Sequence, residues 1–144
     1  MVNINNCIRS IDLEGSLDKT PKYSISQATK LSGISTYTLR YYDNLGLFPF
    51  LQRSDGAKRF FSDADIQWIR LIECLRNTGM SLTEIRHYVK LSLIGIKTLP
   101  ERLDILDHQE EILQQQLEEM QEHLRLLQFK KNYYKKLSSS HDHP

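Results

Sequence analysis

The chain has 144 residues, of which 40% are hydrophobic and 26% are charged, and its formal net charge is +1 at pH 7. This length allows one small domain joined to an extended element and excludes two ordinary domains. The composition is typical of a globular protein and excludes a fibre and a chain that is disordered throughout.

Charge is divided unevenly along the chain. Residues 21–61 hold six bases against two acids, whereas residues 99–137 hold six bases against eight acids. A basic front segment can attract a polyanion such as DNA while an acidic rear segment stays clear of it. An ordinary solvated surface is the alternative explanation on charge alone.

The N-terminal 20 residues show no sustained hydrophobic period, so we predict an extension that is mobile or loosely attached. No basic patch precedes an apolar run there, and apolar runs elsewhere are too short to span a membrane. Only two cysteines occur, Cys7 and Cys74, in different contexts. We therefore expect no disulfide framework, a reducing compartment and a cytoplasmic protein without a membrane partner.

Four helix starts share one signature, a capping side chain followed three residues later by a polar partner. The pairs are Ser24 with Gln27, Ser35 with Thr38, Ser62 with Asp65, and Ser81 with Glu84. The first two predict helices from about Ile25 to Leu31 and from about Thr36 to Asn44, joined by a turn that contains Gly33. Two short helices joined in this way are typical of a helix-turn-helix, whose second helix enters a DNA major groove.

The stretch from Leu47 to Phe61 lacks a helical period and predicts a β-hairpin wing with its turn near residues 54–56. Apolar residues at helical spacing then predict two more helices, Asp63 to about Asn77 and Leu82 to about Leu91. We therefore predict a mainly α fold in which residues 21–97 form a winged helix-turn-helix domain.

Apolar residues recur every seventh position after Leu99, and a second apolar row lies between them, interrupted by Glu110 and Lys131. This pattern predicts a coiled-coil dimerisation helix over residues 98–137, followed by a flexible tail over 138–144. A helix folded back on its own domain is the alternative. The predicted dimerisation residues are Leu99, Leu103, Leu106, Leu113, Leu117, Met120, Leu124 and Leu127.

The run TLRYYDNLGLFP, from Thr38 to Pro49, is followed by Arg53, Gly56, Arg59 and Phe61. This combination resembles the MerR family of bacterial transcriptional regulators. The resemblance implies a homodimer with an antiparallel dimerisation helix that binds double-stranded promoter DNA. It also implies that the dimer bends and undertwists this DNA, which brings the two recognition elements of RNA polymerase into register.

Candidate DNA-binding residues lie on the second helix and in the wing. Ser35, Thr36 and Tyr37 begin the predicted recognition helix, which is where a side chain reaches base edges first. Arg40 and Tyr41 follow, and the resemblance implies that they contact phosphates, as we also expect of three wing residues. The wing residues are Arg53, Lys58 and Arg59. Tyr42 is expected in the core, and a surface ion pair with Asp43 is the alternative for Arg40.

The run WIRLIECLRNTGM, from Trp68 to Met80, resembles the aldehyde-stress and thiol-stress branch of the family. The resemblance implies that Cys74 is a sensor, and a small buried hydrophobe is the alternative.

The sequence contains no Ser/His/Asp grouping, phosphate loop or paired-carboxylate motif, so we predict neither an enzyme nor a cofactor. Histidines 108, 123, 141 and 143 are interpreted as solvated surface and not as metal ligands. A phage excisionase-like DNA-bending protein and a coiled-coil adaptor remain alternative functions. The long predicted helix disfavours the first, and the basic front segment disfavours the second.

Overall fold

The computed structural model describes Cys7 and residues 17–49, 51–53 and 58–141. The described elements are β1 (Tyr23–Ser24), α1 (Ile25–Ser32), α2 (Thr36–Asn44), β2 (Gln52–Arg53), β3 (Arg59–Phe61), α3 (Asp63–Asn77), α4 (Leu82–Ile94), a 3-10 turn (Ile96–Thr98) and α5 (Leu99–His141). The predicted mainly α fold with a winged helix-turn-helix and a long final helix is confirmed. In the described part of the chain, no helix is long and apolar enough to cross a membrane.

All four predicted helix caps form, because each serine oxygen accepts a bond from the backbone N–H three residues on. Ser24 and Ser62 also form reciprocal capping boxes with Gln27 and Asp65. Gly33 follows α1 at φ 76°, a left-handed conformation that glycine adopts without steric cost. The serine bonds explain why α2 and α3 begin at the predicted residues.

The wing belongs to a three-stranded antiparallel sheet in the order β1-β3-β2. Tyr23 pairs with Phe61, and Arg53 pairs with Arg59. The predicted hairpin is therefore confirmed in its strands, while its predicted turn lies outside the described residues. The strand β1, which immediately precedes α1, is an element that the sequence analysis did not predict.

One apolar core holds helices α1 to α4 and strand β3 together. Tyr42 is buried in it, as predicted, with its ring edge-on to Phe48 at 6.4 Å between ring centroids. The core residues are Ala28, Leu39, Tyr42, Leu47, Phe48, Phe61, Ile66, Ile69, Ile72, Met80, Ile85 and Val89. This core fixes the recognition helix α2 against α3 and the wing.

The described contacts of the N-terminal segment attach it to α3. Asp18 accepts a 3.1 Å hydrogen bond at its backbone oxygen from the backbone N–H of Ala64. Cys7 forms a disulfide with Cys74. The expectation that the two cysteines stay unpaired was wrong, because pairing depends on proximity in the fold and these residues are 67 positions apart in the chain.

The chain forms two compact units, residues 1–105 and residues 106–144. The second unit consists of the rest of α5 in its described part, and this helix has 43 residues in all. At about 1.5 Å per residue, α5 is roughly 65 Å long. A single helix of this length cannot bury its own apolar stripe.

Candidate nucleic-acid interface

The start of α2 presents side chains that can reach base edges. Tyr37 is 80% exposed, and Ser35 is exposed at the cap. Thr36 differs from these two, because it is half-buried and its hydroxyl lies 3.2 Å from the hydroxyl of Thr29 in α1. This contact joins the two helices of the helix-turn-helix and leaves Thr36 less accessible than Tyr37. The Ser35 hydroxyl is also engaged, because it bonds to the backbone N–H and the hydroxyl of Thr38.

A basic groove of about 310 Å³ lies beside α2 and is the best candidate for a phosphate site. Arg40 from α2 and Lys58 from the wing are exposed, and both line this groove together with Arg59. The other lining residues are Ser24, Ile25 and Phe60. Arg40 and Lys58 bring two positive charges to this groove, while Arg59 shares its charge with Asp43, so the groove can attract a DNA phosphate.

Arg59 also has a structural contact that the sequence analysis did not predict. Its Nε donates a 2.6 Å hydrogen bond to Oδ2 of Asp43, and the two side chains are only 19% and 3% exposed. The expected alternative pair between Arg40 and Asp43 is replaced by this one. The Arg59–Asp43 ion pair links strand β3 to the recognition helix and therefore orients the wing relative to α2.

We predict that Arg59→Ala lowers the free energy of unfolding by about 2 kcal/mol, because it leaves the buried Asp43 carboxylate without this partner. Arg40→Ala removes an exposed side chain and should change this free energy by less than about 0.5 kcal/mol. Urea denaturation followed by circular dichroism measures both variants. Equal stability of the two variants would show that the ion pair contributes nothing to the fold.

The recognition helix is connected to the end of α3 by a polar contact. The hydroxyl of Tyr42 donates a 2.5 Å hydrogen bond to Oε1 of Glu73, and Nη1 of Arg76 lies 3.5 Å from the same hydroxyl. Burial, followed by the bond to Glu73, raises the pKa of Tyr42 to about 12. The phenol therefore stays protonated at neutral pH and keeps its donor role.

Tyr41 and Arg53 are the remaining predicted DNA-binding residues. Tyr41 is exposed and faces a polar cleft of about 540 Å³ that Ser35 and Arg76 also line. Arg53 lies in β2, directly opposite Arg59 in the strand register. This position brings the backbone of both predicted phosphate-binding residues to the same part of the wing.

The predicted dimerisation residues form an apolar seam on α5 that stays open in the single chain. Their exposed fractions range from 39% to 68%. The seam residues are Leu99, Leu103, Leu106, Leu113, Leu117, Met120, Leu124 and Leu127. On α5 these side chains form an apolar stripe that the helix cannot cover by itself.

The fold and the groove define a class of protein: a winged helix-turn-helix DNA-binding protein with a long additional helix. The sequence pattern of the MerR HTH family regulatory protein matches residues 23–92. A HTH-type transcriptional regulator of Haemophilus influenzae, described as uncharacterized, is 40% identical over 114 residues, which is 79% of this chain and 84% of that protein. The chain therefore belongs to the MerR family of helix-turn-helix transcriptional regulators.

Solved structures agree with this assignment. The crystal structure of HiNmlR, a MerR family regulator lacking the sensor domain, bound to promoter DNA, has a TM-score of 0.66 and 39% sequence identity. The match covers 81% of this chain and 93% of that one. A putative MerR family transcriptional regulator from Listeria monocytogenes has a TM-score of 0.70 and 34% identity, with coverage of 78% and 86%. The relatives named here are regulators and not enzymes.

Proposed function

We propose that the protein binds promoter DNA as a homodimer and controls transcription by RNA polymerase by bending and undertwisting that DNA, in response to a reactive small molecule or thiol stress. The observation that carries the proposal is the exposed start of α2 beside a groove lined by Arg40, Lys58 and Arg59. Support also comes from HiNmlR, which is bound to promoter DNA in its crystal structure. The proposed place of action is the cytoplasm, where bacterial promoters are found.

Specificity and affinity come from different parts of this surface. Tyr37 and Ser35 lie at the N-terminal turn of α2, which enters the major groove first and reads bases there. Arg40, Tyr41 and the wing cations contact phosphates, which are the same in every sequence. The first set therefore selects the operator, and the second set holds the protein on DNA of any sequence.

The open seam on α5 supports the proposed homodimer. Two copies of a seam of this length bury each other without a further partner, which makes the second copy the economical occupant. Glu110 and Lys131 interrupt the seam, and parallel helices would place each of them beside its own like charge in the partner, which disfavours a parallel pair.

A dimer of this kind controls transcription through the shape of the DNA. Two wings and two recognition helices hold two half-sites at a separation set by the dimer, and DNA must deform to contact both. A signal that changes the position of the two DNA-binding domains changes this deformation of the DNA without releasing it. The same bound dimer can then repress and activate.

We predict that Arg40→Ala weakens binding to all double-stranded DNA, whereas Tyr37→Ala changes which sequences are preferred. A dimer lacking Arg40 loses two phosphate contacts. The slope of the logarithm of the DNA-binding constant against the logarithm of the salt concentration should therefore become less steep by about two units. Fluorescence anisotropy with DNA from the protein's own upstream region, measured at several salt concentrations, tests this. An unchanged slope would remove Arg40 from the interface, and unchanged preference would remove Tyr37.

A further inference from the structure

The Cys7–Cys74 disulfide connects the N-terminal segment to the last part of α3. The two cysteines are 67 positions apart, and the residues between them include β1, α1, α2 and the whole wing. The bond therefore closes a covalent loop that contains every candidate DNA-binding residue. Breaking or forming this bond affects all the candidate DNA-binding elements together.

The two cysteine residues differ in access to solvent. Cys7 is buried, at 6% exposure, whereas Cys74 is partly exposed on α3. Thiol–disulfide exchange begins when an external thiolate reaches one of the two sulfurs, and the more accessible sulfur is attacked first. Cys74 is therefore the point of attack, and Cys7 is the sulfur that leaves.

Residues next to Cys74 connect it to the recognition helix. Glu73, its immediate neighbour, accepts the 2.5 Å bond from the hydroxyl of Tyr42. Glu73 also accepts a 2.8 Å bond at its backbone oxygen from the side-chain amide of Asn77. A displacement of this turn of α3 therefore reaches α2 through a contact between two specific side chains.

We propose that the Cys7–Cys74 pair is a thiol–disulfide exchange site for low-molecular-weight thiols and disulfides, and that its oxidation state sets the affinity for DNA through the Glu73–Tyr42 contact. This inference rests on the proposed function, and it identifies the kind of signal that the site receives. It also replaces the expectation of a single sensor thiol at Cys74 by a pair.

The reaction conserves atoms and electrons. A thiolate of a small dithiol attacks Sγ of Cys74, the bond between the two cysteine sulfurs breaks, and Cys7 leaves with the electron pair and takes a proton from solvent. The second thiol of the dithiol then releases Cys74 from the mixed disulfide. Two electrons and two protons pass to the protein, and the dithiol becomes a cyclic disulfide. A small disulfide oxidises the pair by the reverse path.

Oxidation state also decides whether Cys74 can react with an electrophile. The thiolate is the nucleophilic form of cysteine, and a sulfur held in a disulfide offers none. Formaldehyde or methylglyoxal can therefore modify Cys74 only after reduction. Reduction of the disulfide must therefore precede any alkylation of Cys74.

The test measures exchange and DNA binding on the same full-length protein. Wild-type protein is equilibrated with reduced or oxidised dithiothreitol. Its free thiols are then counted from the mass added by maleimide labelling. Its Kd for upstream DNA is measured by fluorescence anisotropy. We expect the thiol count to change by two. We expect the oxidised form, whose α3 turn is held in place, to bind about fivefold more tightly, at the low end of typical coupling between sites.

Three variants separate the steps. Cys7→Ser should show the Kd of the reduced wild type in both buffers. Tyr42→Phe and Glu73→Gln should still exchange two thiols but show a smaller difference in Kd between the oxidised and reduced forms. The second variant serves if the first fails to fold.

Equal Kd values for the oxidised and reduced wild type, or a difference that persists in Cys7→Ser, would overturn the inference and leave the proposed function intact. If neither the oxidised nor the reduced protein binds DNA specifically, both the proposed function and the effect on affinity are rejected. The thiol count would then still decide whether the Cys7–Cys74 pair undergoes exchange.

Discussion

Replacing Leu113 and Leu117 together by Asp should convert the protein to monomers and abolish binding to its operator. The two residues lie on the seam of α5 and are 40% and 48% exposed in the single chain, so a partner helix is what would bury them. Burying a leucine is worth about 1.5 to 3 kcal/mol, and the dimer contains two copies of each. The variant loses this energy and must also desolvate four carboxylates, so its dissociation constant should rise by at least about a thousandfold.

The matched control adds the same charges to the opposite face of the helix. His108→Asp with Gln115→Asp introduces two acids at exposed positions outside the seam. This control should remain a dimer and bind DNA as the wild type does. Sedimentation equilibrium at micromolar concentration gives the oligomeric state of all three proteins. A wild-type protein that sediments as a monomer would refute the homodimer, and a dimeric Asp variant would refute the proposed seam.

Reduction of the Cys7–Cys74 bond should lower the free energy of unfolding by about 4 kcal/mol. A crosslink restricts the unfolded chain, and the restriction grows with the number of residues in the loop. The sequence separation of 67 makes this a long loop, for which the chain-entropy relation gives roughly 4 kcal/mol. For a chain of this size the melting temperature should fall by about 8 to 16 °C.

Differential scanning calorimetry with and without a reductant measures this effect. The double variant Cys7→Ser with Cys74→Ser should melt at the temperature of the reduced wild type and should not respond to the reductant. If the wild type melts at one temperature in both buffers, although its thiols are titratable in only one of them, the bond does not stabilise the fold.

The features that could be predicted from the sequence are those with a local cause. A capping serine and its partner three residues on form their bonds within one turn, so the helix-turn-helix and the start of α3 followed from residue spacing. The seven-residue repeat of α5 is equally local. By contrast, β1 has two residues, and it is a strand only because the fold brings Tyr23 beside Phe61. No pattern within the residues of β1 indicates this pairing.

The candidate site divides in the same way. The exposure of Tyr37 and Arg40 follows from their positions on an amphipathic helix, and the sequence was sufficient to predict that exposure. The bonds from Arg59 to Asp43 and from Tyr42 to Glu73 join residues on different elements. Charge alone suggested a different partner for Asp43. Only the packing of α2 against the wing decides which cation reaches it.

The covalent loop has a consequence for the synthesis of the protein. Cys7 is made early, and its partner is made only after all the DNA-reading elements have been translated. At roughly 5 to 20 residues per second, Cys7 remains without this partner for several seconds or more. During that time its thiol can react with other thiols on neighbouring nascent chains. Closure of the loop can therefore begin only after α3 has left the ribosome, and a Cys7 that has mispaired before then must first be released by thiol exchange.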